Sequence, residues 1–433
     1  MSKTLATASS PGTTHSPTIA PRRDVQAALV VAGALALLPT APRAQPDEAP
    51  SPAALAQIAQ LVKDNYLLPM AVDGAADETL LGRLDPQSSY LSVAEIRRLQ
   101  ASASTVDPGV LLLPLAATSG PEPLVGRSAG GGRAAGVRAG DILVAIDGEP
   151  TAGQSEDALR HRMRGPAGTS VRLTVRRDGE TLDLVAERAA KQAGAEISAR
   201  RIGNVGYVRI DSLDEGTVGR LAEAVKTMQA QTPGLKGLVL DLRDCPGGLL
   251  EQALRIADLF LTGGPMLTQR GREASDVTRR KADRDELLSG QPVVVLVNAR
   301  TVAGAEIVAG VLQERGRARV VGMPTYGNGL IQTVIPLNGA RDGALRLTTG
   351  AWYLPSGRPL QKSGITPDVV VAANARDLAP QPRETNIKGA LDAPTTGPVA
   401  PPRSAGPPEL PPAGYDTEAG DYQLDRALAI VER

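Results

Sequence analysis

The 433 residues carry 47 acidic and 47 basic side chains, so no global positive field favours nucleic acid as a partner. Apolar residues make up 42%, enough to bury a core in each of the two or three domains that this length allows. One cysteine, Cys245, excludes an internal disulfide framework, and two histidines, His15 and His161, are too few for His-based triads or multi-His metal sites.

At the N-terminus, Arg22 and Arg23 precede an apolar run from Val25 to Leu38, followed by small residues and proline up to Ala44 and Gln45. The run is shorter than the roughly 20 residues that cross a bilayer. Its order of charge, apolar stretch and small residues is that of an export leader, with an uncleaved anchor as the alternative. Residues 1–45 are therefore expected to direct export to the periplasm, the paired arginines suggesting the twin-arginine route.

Residues 46–105 are expected to be helical, because Ala54, Leu55, Ile58, Leu61 and Val62 recur at helical spacing. The stretch Leu84–Tyr90 reads as a turn, after which Ser92 and Glu95 have capping-box spacing. The rhythm changes over 106–190. Short β-rich runs at Val110–Leu113, Ile142–Ile146, Val171–Val175 and Thr181–Val185, with a helical stretch over Ser155–Arg164, predict a small barrel-like module.

From 191 to 375, strands are predicted at Val205–Ile210, Gly237–Leu242 and Val293–Val297, alternating with helices at Glu215–Gln231, Leu249–Leu261 and Val302–Arg315. That alternation predicts an α/β core of β-α-β units. The remainder, 376–433, is Pro-rich from Ala379 to Pro412 and reads as a disordered or extended linker, ending in a short helix over Tyr422–Val431.

Four motifs carry a resemblance. Gly136-Val137-Arg138-Ala139-Gly140-Asp141-Ile142-Leu143, ending in Asp147-Gly148, resembles the PDZ domains of bacterial periplasmic proteases. Three further blocks, LDPQSSYL at 84–91, DLRDCPGGLL at 241–250 and the region from Gly327 to Asp368, resemble the carboxy-terminal processing peptidases of the S41 serine/lysine type. The resemblance covers nearly everything from Ser51 to Val371. It implies a crotonase-like (ClpP/crotonase-type) α/β protease core with an inserted PDZ domain and flanking helices, needing neither cofactor nor metal.

The resemblance also assigns roles by position. The family's serine nucleophile opens a helix after a buried strand, and Glu306 in Asn298–Glu306 aligns Ala303 with it. The family's lysine base lies in a glycine turn, here Tyr326-Gly327-Asn328-Gly329-Leu330-Ile331-Gln332, so Asn328 stands in its place while the supporting Gln332 is kept. An oxyanion hole would use backbone N–H groups at Gly247, Gly248 and Gly304. The PDZ loop would place Gly109, Val110 and Leu111 against a peptide terminus, Leu111 standing where the family usually has a second glycine. Alanine has no oxygen to attack a carbonyl, and a neutral amide is no base. Cys245 reads as a small buried residue beside the glycine turn, Thr301 as pointing away from the cleft, and Lys362 as a surface or groove cation.

The expectation is a pseudoprotease of this family that binds C-terminal tails or unfolded chains, or regulates an active relative, self-associating through its terminal helices. The alternative is an active periplasmic serine-type endopeptidase that processes protein C-termini.

Overall fold

A computed structural model describes residues 49–71, 78–97, 105–112, 122–128, 130–138, 140–154, 156–188, 197–283, 286–381, 383–395, 406–416 and 420–433. The expected leader at 1–45 lies outside the described residues. No described helix is long and apolar enough to cross a membrane.

Helix α1 (Pro52–Asn65) starts at Ser51, whose hydroxyl accepts the Ala54 N–H, and buries Ala54, Leu55, Ile58 and Val62. A short helix over Glu78–Arg83 and the turn at Leu84–Gln87 lead into strand β1 (Ser89–Leu91). The capping box at Ser92 forms: the Ser92 N–H donates to Glu95 at 2.7 Å and the Glu95 N–H to Ser92 Oγ at 3.1 Å.

The PDZ-like module follows. Strand β2 (Val110–Leu112) pairs with β3 (Val125–Ser128), and β4 (Ile142–Ile146), β5 (Ser170–Arg177) and β6 (Glu180–Glu187) form an antiparallel sheet beside helix α2 (Glu156–Met163). Along β5 the side chains of Val171, Leu173 and Val175 alternate inward, joining Val110, Leu143, Ile146 and Leu159 in a core separate from the rest of the chain.

The α/β core holds a six-stranded sheet: β7 (Ile197–Ile202), β8 (Val205–Ile210), β9 (Gly237–Asp241), β12 (Val293–Val297), β13 (Ala318–Gly322) and β16 (Val369–Val370), in that spatial order. Only the β7–β8 pair is antiparallel. β9 and β12 are buried along their whole length, as expected of parallel strands covered on both faces. One face carries α3 (Thr217–Gln229), α4 (Leu250–Asp258) and α5 (Gly304–Glu314), whose residues Gly304–Gln313 are all buried. The other face is covered by α6 (Tyr422–Val431), which sets Leu424, Ala427 and Val431 against Val239, Val294 and Leu296. The apolar side of the terminal helix is thus used within its own chain.

A second sheet falls outside the sequence expectations. It comprises β1, β10 (Gly264–Arg270), β11 (Val277–Ala282), β14 (Leu330–Pro336) and β15 (Ala344–Tyr353), all antiparallel, with β15 central. Through β1, and through Ile58 and Val62 packed on Leu345 and Leu347, the N-terminal segment joins this sheet. The Pro-rich tail is only partly a linker. Glu384 is fully buried, and the Ala372 N–H donates to the Glu409 carbonyl at 2.9 Å. Isolated polar anchors of this kind have no periodicity to betray them.

Candidate active site

Three turns meet at one end of the parallel sheet. The first follows β9 and runs through Asp244-Cys245-Pro246-Gly247-Gly248. Gly247 (φ +90°) and Gly248 (φ +145°) have backbones that favour glycine. Space demands it too: a Cβ on Gly248 would lie 2.1 Å from the Leu213 carbonyl oxygen, and one on Gly247 2.8 Å from Gly304 N. Leu213 grips the turn from the side, its N–H donating to the Gly247 carbonyl at 2.8 Å and its carbonyl accepting the Leu249 N–H at 2.7 Å.

The second turn joins β12 to α5. Ala303 sits at the entry of α5 with φ +49° and ψ −113°, a region that a residue with a Cβ rarely occupies. It is fixed there from both sides. The Ala303 N–H donates to Glu306 at 2.8 Å, and the adjacent Val302 N–H donates to the Cys245 carbonyl at 3.0 Å. The Gly304 and Gly248 backbones lie side by side, a Cβ on Gly304 falling 3.7 Å from Gly248 N. Neither of these two N–H groups donates to another described residue, so both are open to an acceptor in the cleft.

The third turn, Thr325–Gly329, leads into β14. Its Gly327 and Asn328 N–H groups donate to the Glu306 carboxylate at 2.7 and 3.0 Å, and the Thr325 hydroxyl bonds to the same group. Glu306 is wholly buried, which pushes its carboxyl up to about 7 against the pull of these donors and the Ala303 N–H. One carboxylate therefore couples the Ala303 entry of α5 to the Gly327–Asn328 turn. The turn is tight because the chain at Gln361–Gly364 lies on it. A Cβ on Gly329 would meet Gln361 N at 2.2 Å, and one on Gly327 the Lys362 carbonyl carbon at 3.1 Å.

Ala303, Gly304, Gly247, Gly248 and Asn328 are thus brought together. The Asn328 side chain makes no hydrogen bond to a described residue. Gln332 stands on β14 with its Nε2 donating to Gln87 Oε1 at 3.0 Å and Thr348 Oγ1 at 2.8 Å, while its Oε1 is buried without a partner. Gln87, from the LDPQSSYL block, passes the chain on to Glu384 at 2.7 Å. Gln361 donates to the same Glu384 oxygen at 3.0 Å and accepts the Gly329 N–H at 2.9 Å. Burial raises the Glu384 carboxyl above its usual range, against the two glutamine donors. This relay of Gln87, Gln361 and Glu384 was invisible in the sequence, since its members lie 274 and 23 positions apart.

The alternative nucleophiles are occupied. Thr301 Oγ1 is buried, donating to the Leu242 carbonyl at 2.8 Å and accepting the Asn298 N–H at 3.0 Å. Cys245 is fully buried. Lys362 Nζ reaches away to Asp392 at 2.8 Å. Behind the glycine turn, Asp241 is buried under Arg243 (2.6 Å) and Arg209 (3.3 Å), with Tyr207 donating at 2.8 Å. Burial acts to raise Asp241, and the two guanidiniums overcome it, leaving its carboxyl below the usual range. Asp244 is held at about 2: burial opposes ionisation, but Arg300, Asn298 and Arg209 favour it more.

A polar cleft of about 300 Å³ separates the module's Arg133 from Tyr207, Arg209, Arg243 and Asp244, placing the PDZ-like unit beside the glycine turn. Gly109, Val110 and Leu111 lie within that unit, Gly109 on the loop entering β2 and Val110 and Leu111 on β2 itself. Among the described residues no group of three or more His, Cys, Asp or Glu is arranged to hold a metal.

Comparison with known proteins agrees with this geometry. Peptidase family S41 matches residues 204–371, and a PDZ domain matches residues 129–177. A carboxy-terminal-processing protease of Bartonella bacilliformis is 37% identical over 327 residues, 73% of this chain and 72% of the relative. A probable CtpA-like serine protease of Staphylococcus aureus is 31% identical over 240 residues, where the match spans 55% of this chain but only 47% of the relative. The solved photosystem II D1 C-terminal processing protease superposes with a TM-score of 0.54 at 23% identity, over 78% of this chain and 95% of that one, and so shares its fold. With the PDZ unit, the three turns and the length of the Bartonella match in agreement, the chain belongs to peptidase family S41, among the carboxy-terminal-processing proteases.

Proposed function

We propose that this chain is a catalytically silent member of the family, an exported pseudoprotease that holds extended polypeptide in its cleft without cutting it. The observation that carries this reading is Ala303. It occupies the strained entry of α5 beside the open Gly248 and Gly304 amides, with no side-chain oxygen to attack a carbonyl held there.

Asn328 supports the same reading. A lysine serves as base only when burial lowers its pKa, and an amide at that position cannot accept a proton usefully. The orphaned Gln332 Oε1 fits a donor missing from the base position. Losing the nucleophile of a serine protease costs about 10⁶ in turnover, and losing a second member little more. The amides that would bind a substrate carbonyl survive, so binding outlasts chemistry. The crotonase-like ancestry of the core, export through the Arg22–Arg23 leader to the periplasm, self-association and pairing with an active relative belong to the same proposal.

The test is cleavage of an unfolded protein with an apolar C-terminus by the natural chain and by Ala303→Ser/Asn328→Lys. The double variant is expected to cut and the natural chain to leave the substrate intact. Cleavage by the natural chain would refute silence and direct mutagenesis to Cys245 and Thr301.

A further inference from the structure

PDZ domains recognise a chain end by adding it as a strand to an open sheet edge, while loop amides receive its terminal carboxylate. Strand β2 has such an edge, since among the described residues it pairs only with β3. The loop entering it reads Asp107-Pro108-Gly109-Val110, with Pro108 followed by Gly109 at φ +86°.

Two of the donors of this loop are taken. Pro108 has no N–H. The N–H groups of Gly109 and Val110 both donate to Asp107 Oδ1, at 2.6 and 3.2 Å. The loop is pinned from behind as well: the Gly132 N–H donates to the Pro108 carbonyl at 2.6 Å, and a Cβ on Gly132 would lie 2.5 Å from Val110 Cγ2. A carboxylate already sits where a ligand's carboxylate would go, and it belongs to the chain itself.

We infer that Asp107 sets the specificity of this PDZ unit by occupying the amides of its carboxylate loop, so that β2 takes an internal extended segment of polypeptide and not a free C-terminus. An incoming terminal carboxylate would have to displace Asp107 from both amides and then lie beside its negative charge. An internal segment carries no charge at that point and still makes the main-chain hydrogen bonds of an added strand. This deepens the reading of the chain as a polypeptide-binding protein, naming which part of a client its PDZ unit accepts.

The experiment measures anisotropy of a short fluorescein-labelled peptide ending in valine, as the free acid and as the C-terminal amide, against the full chain. The natural protein is expected to bind the two within about twofold. Asp107→Ala, which frees two amides, is expected to favour the acid over the amide by about tenfold or more, the scale of hydrogen bonds to a charged group.

If Asp107→Ala does not fold, as judged by thermal melting, Asp107→Asn decides. It keeps an acceptor on the amides but removes the charge, and is expected to raise the acid-to-amide ratio about threefold or more. A natural protein that prefers the free acid tenfold, an unchanged ratio in a folded variant, or no binding of either peptide would each overturn the inference. None of these outcomes touches the proposal of catalytic silence, which is read by cleavage with the Ala303→Ser/Asn328→Lys variant.

Discussion

Replacing Glu306 with glutamine sets two opposed effects against each other. Burial resists the charge on this carboxyl, while four donors favour it: the Ala303, Gly327 and Asn328 N–H groups and the Thr325 hydroxyl. With the folded group near 7 against an ordinary 4.5, burial wins, and the folded state binds the proton more tightly than the unfolded state. The stability this confers is complete below about pH 4.5 and is lost as pH rises through 7, amounting to about 3 kcal/mol at 1.36 kcal/mol per unit. Glutamine is shaped like the protonated acid but cannot titrate. Its NH₂ can donate to Thr325, whose hydroxyl can turn to accept, yet it leaves one of the backbone donors facing it without an acceptor. A buried orphan donor costs about 1–3 kcal/mol. Glu306→Gln should therefore be less stable than the natural chain by that amount below about pH 4.5, and between pH 5 and pH 8 the difference should shift in the variant's favour by about 2.5 kcal/mol. Urea unfolding followed by the fluorescence of Trp352, the single tryptophan and buried in the same core, measures both values. A gap that stays constant from pH 5 to pH 8 would show a carboxylate ionised throughout and refute the argument that burial outweighs the four donors.

Gly248→Ala should lower core stability by about 3 kcal/mol or more in the same urea assay, because its Cβ would overlap the Leu213 carbonyl at a φ that only glycine tolerates well. Asp241→Asn removes the buried partner shared by Arg243 and Arg209 but leaves Asp421 to the first and Asp211 and Asp244 to the second, and should cost about 1–3 kcal/mol. Since Asp241 and Asp244 both titrate below the usual carboxylate range, their stabilisation is present above about pH 4 and lost as pH falls towards 2, which acid unfolding monitored by circular dichroism will register. Ala303→Gly should hold stability constant or raise it by up to about 1 kcal/mol in thermal melts, whereas the same change inside an ordinary helix destabilises by about 0.5–1 kcal/mol. A clear loss at this position would mean that the positive φ carries no strain.

The parallel core was legible because β9 and β12 are unbroken apolar runs and α5 is buried on all sides, patterns that survive in composition alone. The antiparallel sheet was not. β11 reads Val-Thr-Arg-Arg-Lys-Ala and half of β10 is polar or small, so their strand character comes from pairing, β10 to β15 and β11 to β10, rather than from their own sequence. At the site, Ala303, Asn328 and the glycines were singled out through the family resemblance. What links them was not, because Glu306, Gln87, Gln361 and Glu384 act across turns whose approach only the fold creates. Asp107 was hidden for a simpler reason: an Asp-Pro-Gly turn reads as punctuation until its carboxylate is placed on the amides beyond it.

The strain at Ala303 bears on how the entry of α5 shapes the cleft. A positive φ on a residue with a Cβ costs on the order of 1–2 kcal/mol, and a helix entry has no need of it for folding, since glycine would meet the same geometry freely. What the conformation does is hold the Gly304 N–H against Gly248, keeping two amides aimed into the cleft. Glu306 enforces it from one side and Cys245 from the other, and Glu306 itself remains buried despite the desolvation that this entails. On the proposed reading, these amides bind the carbonyl of a chain that is held and not cut.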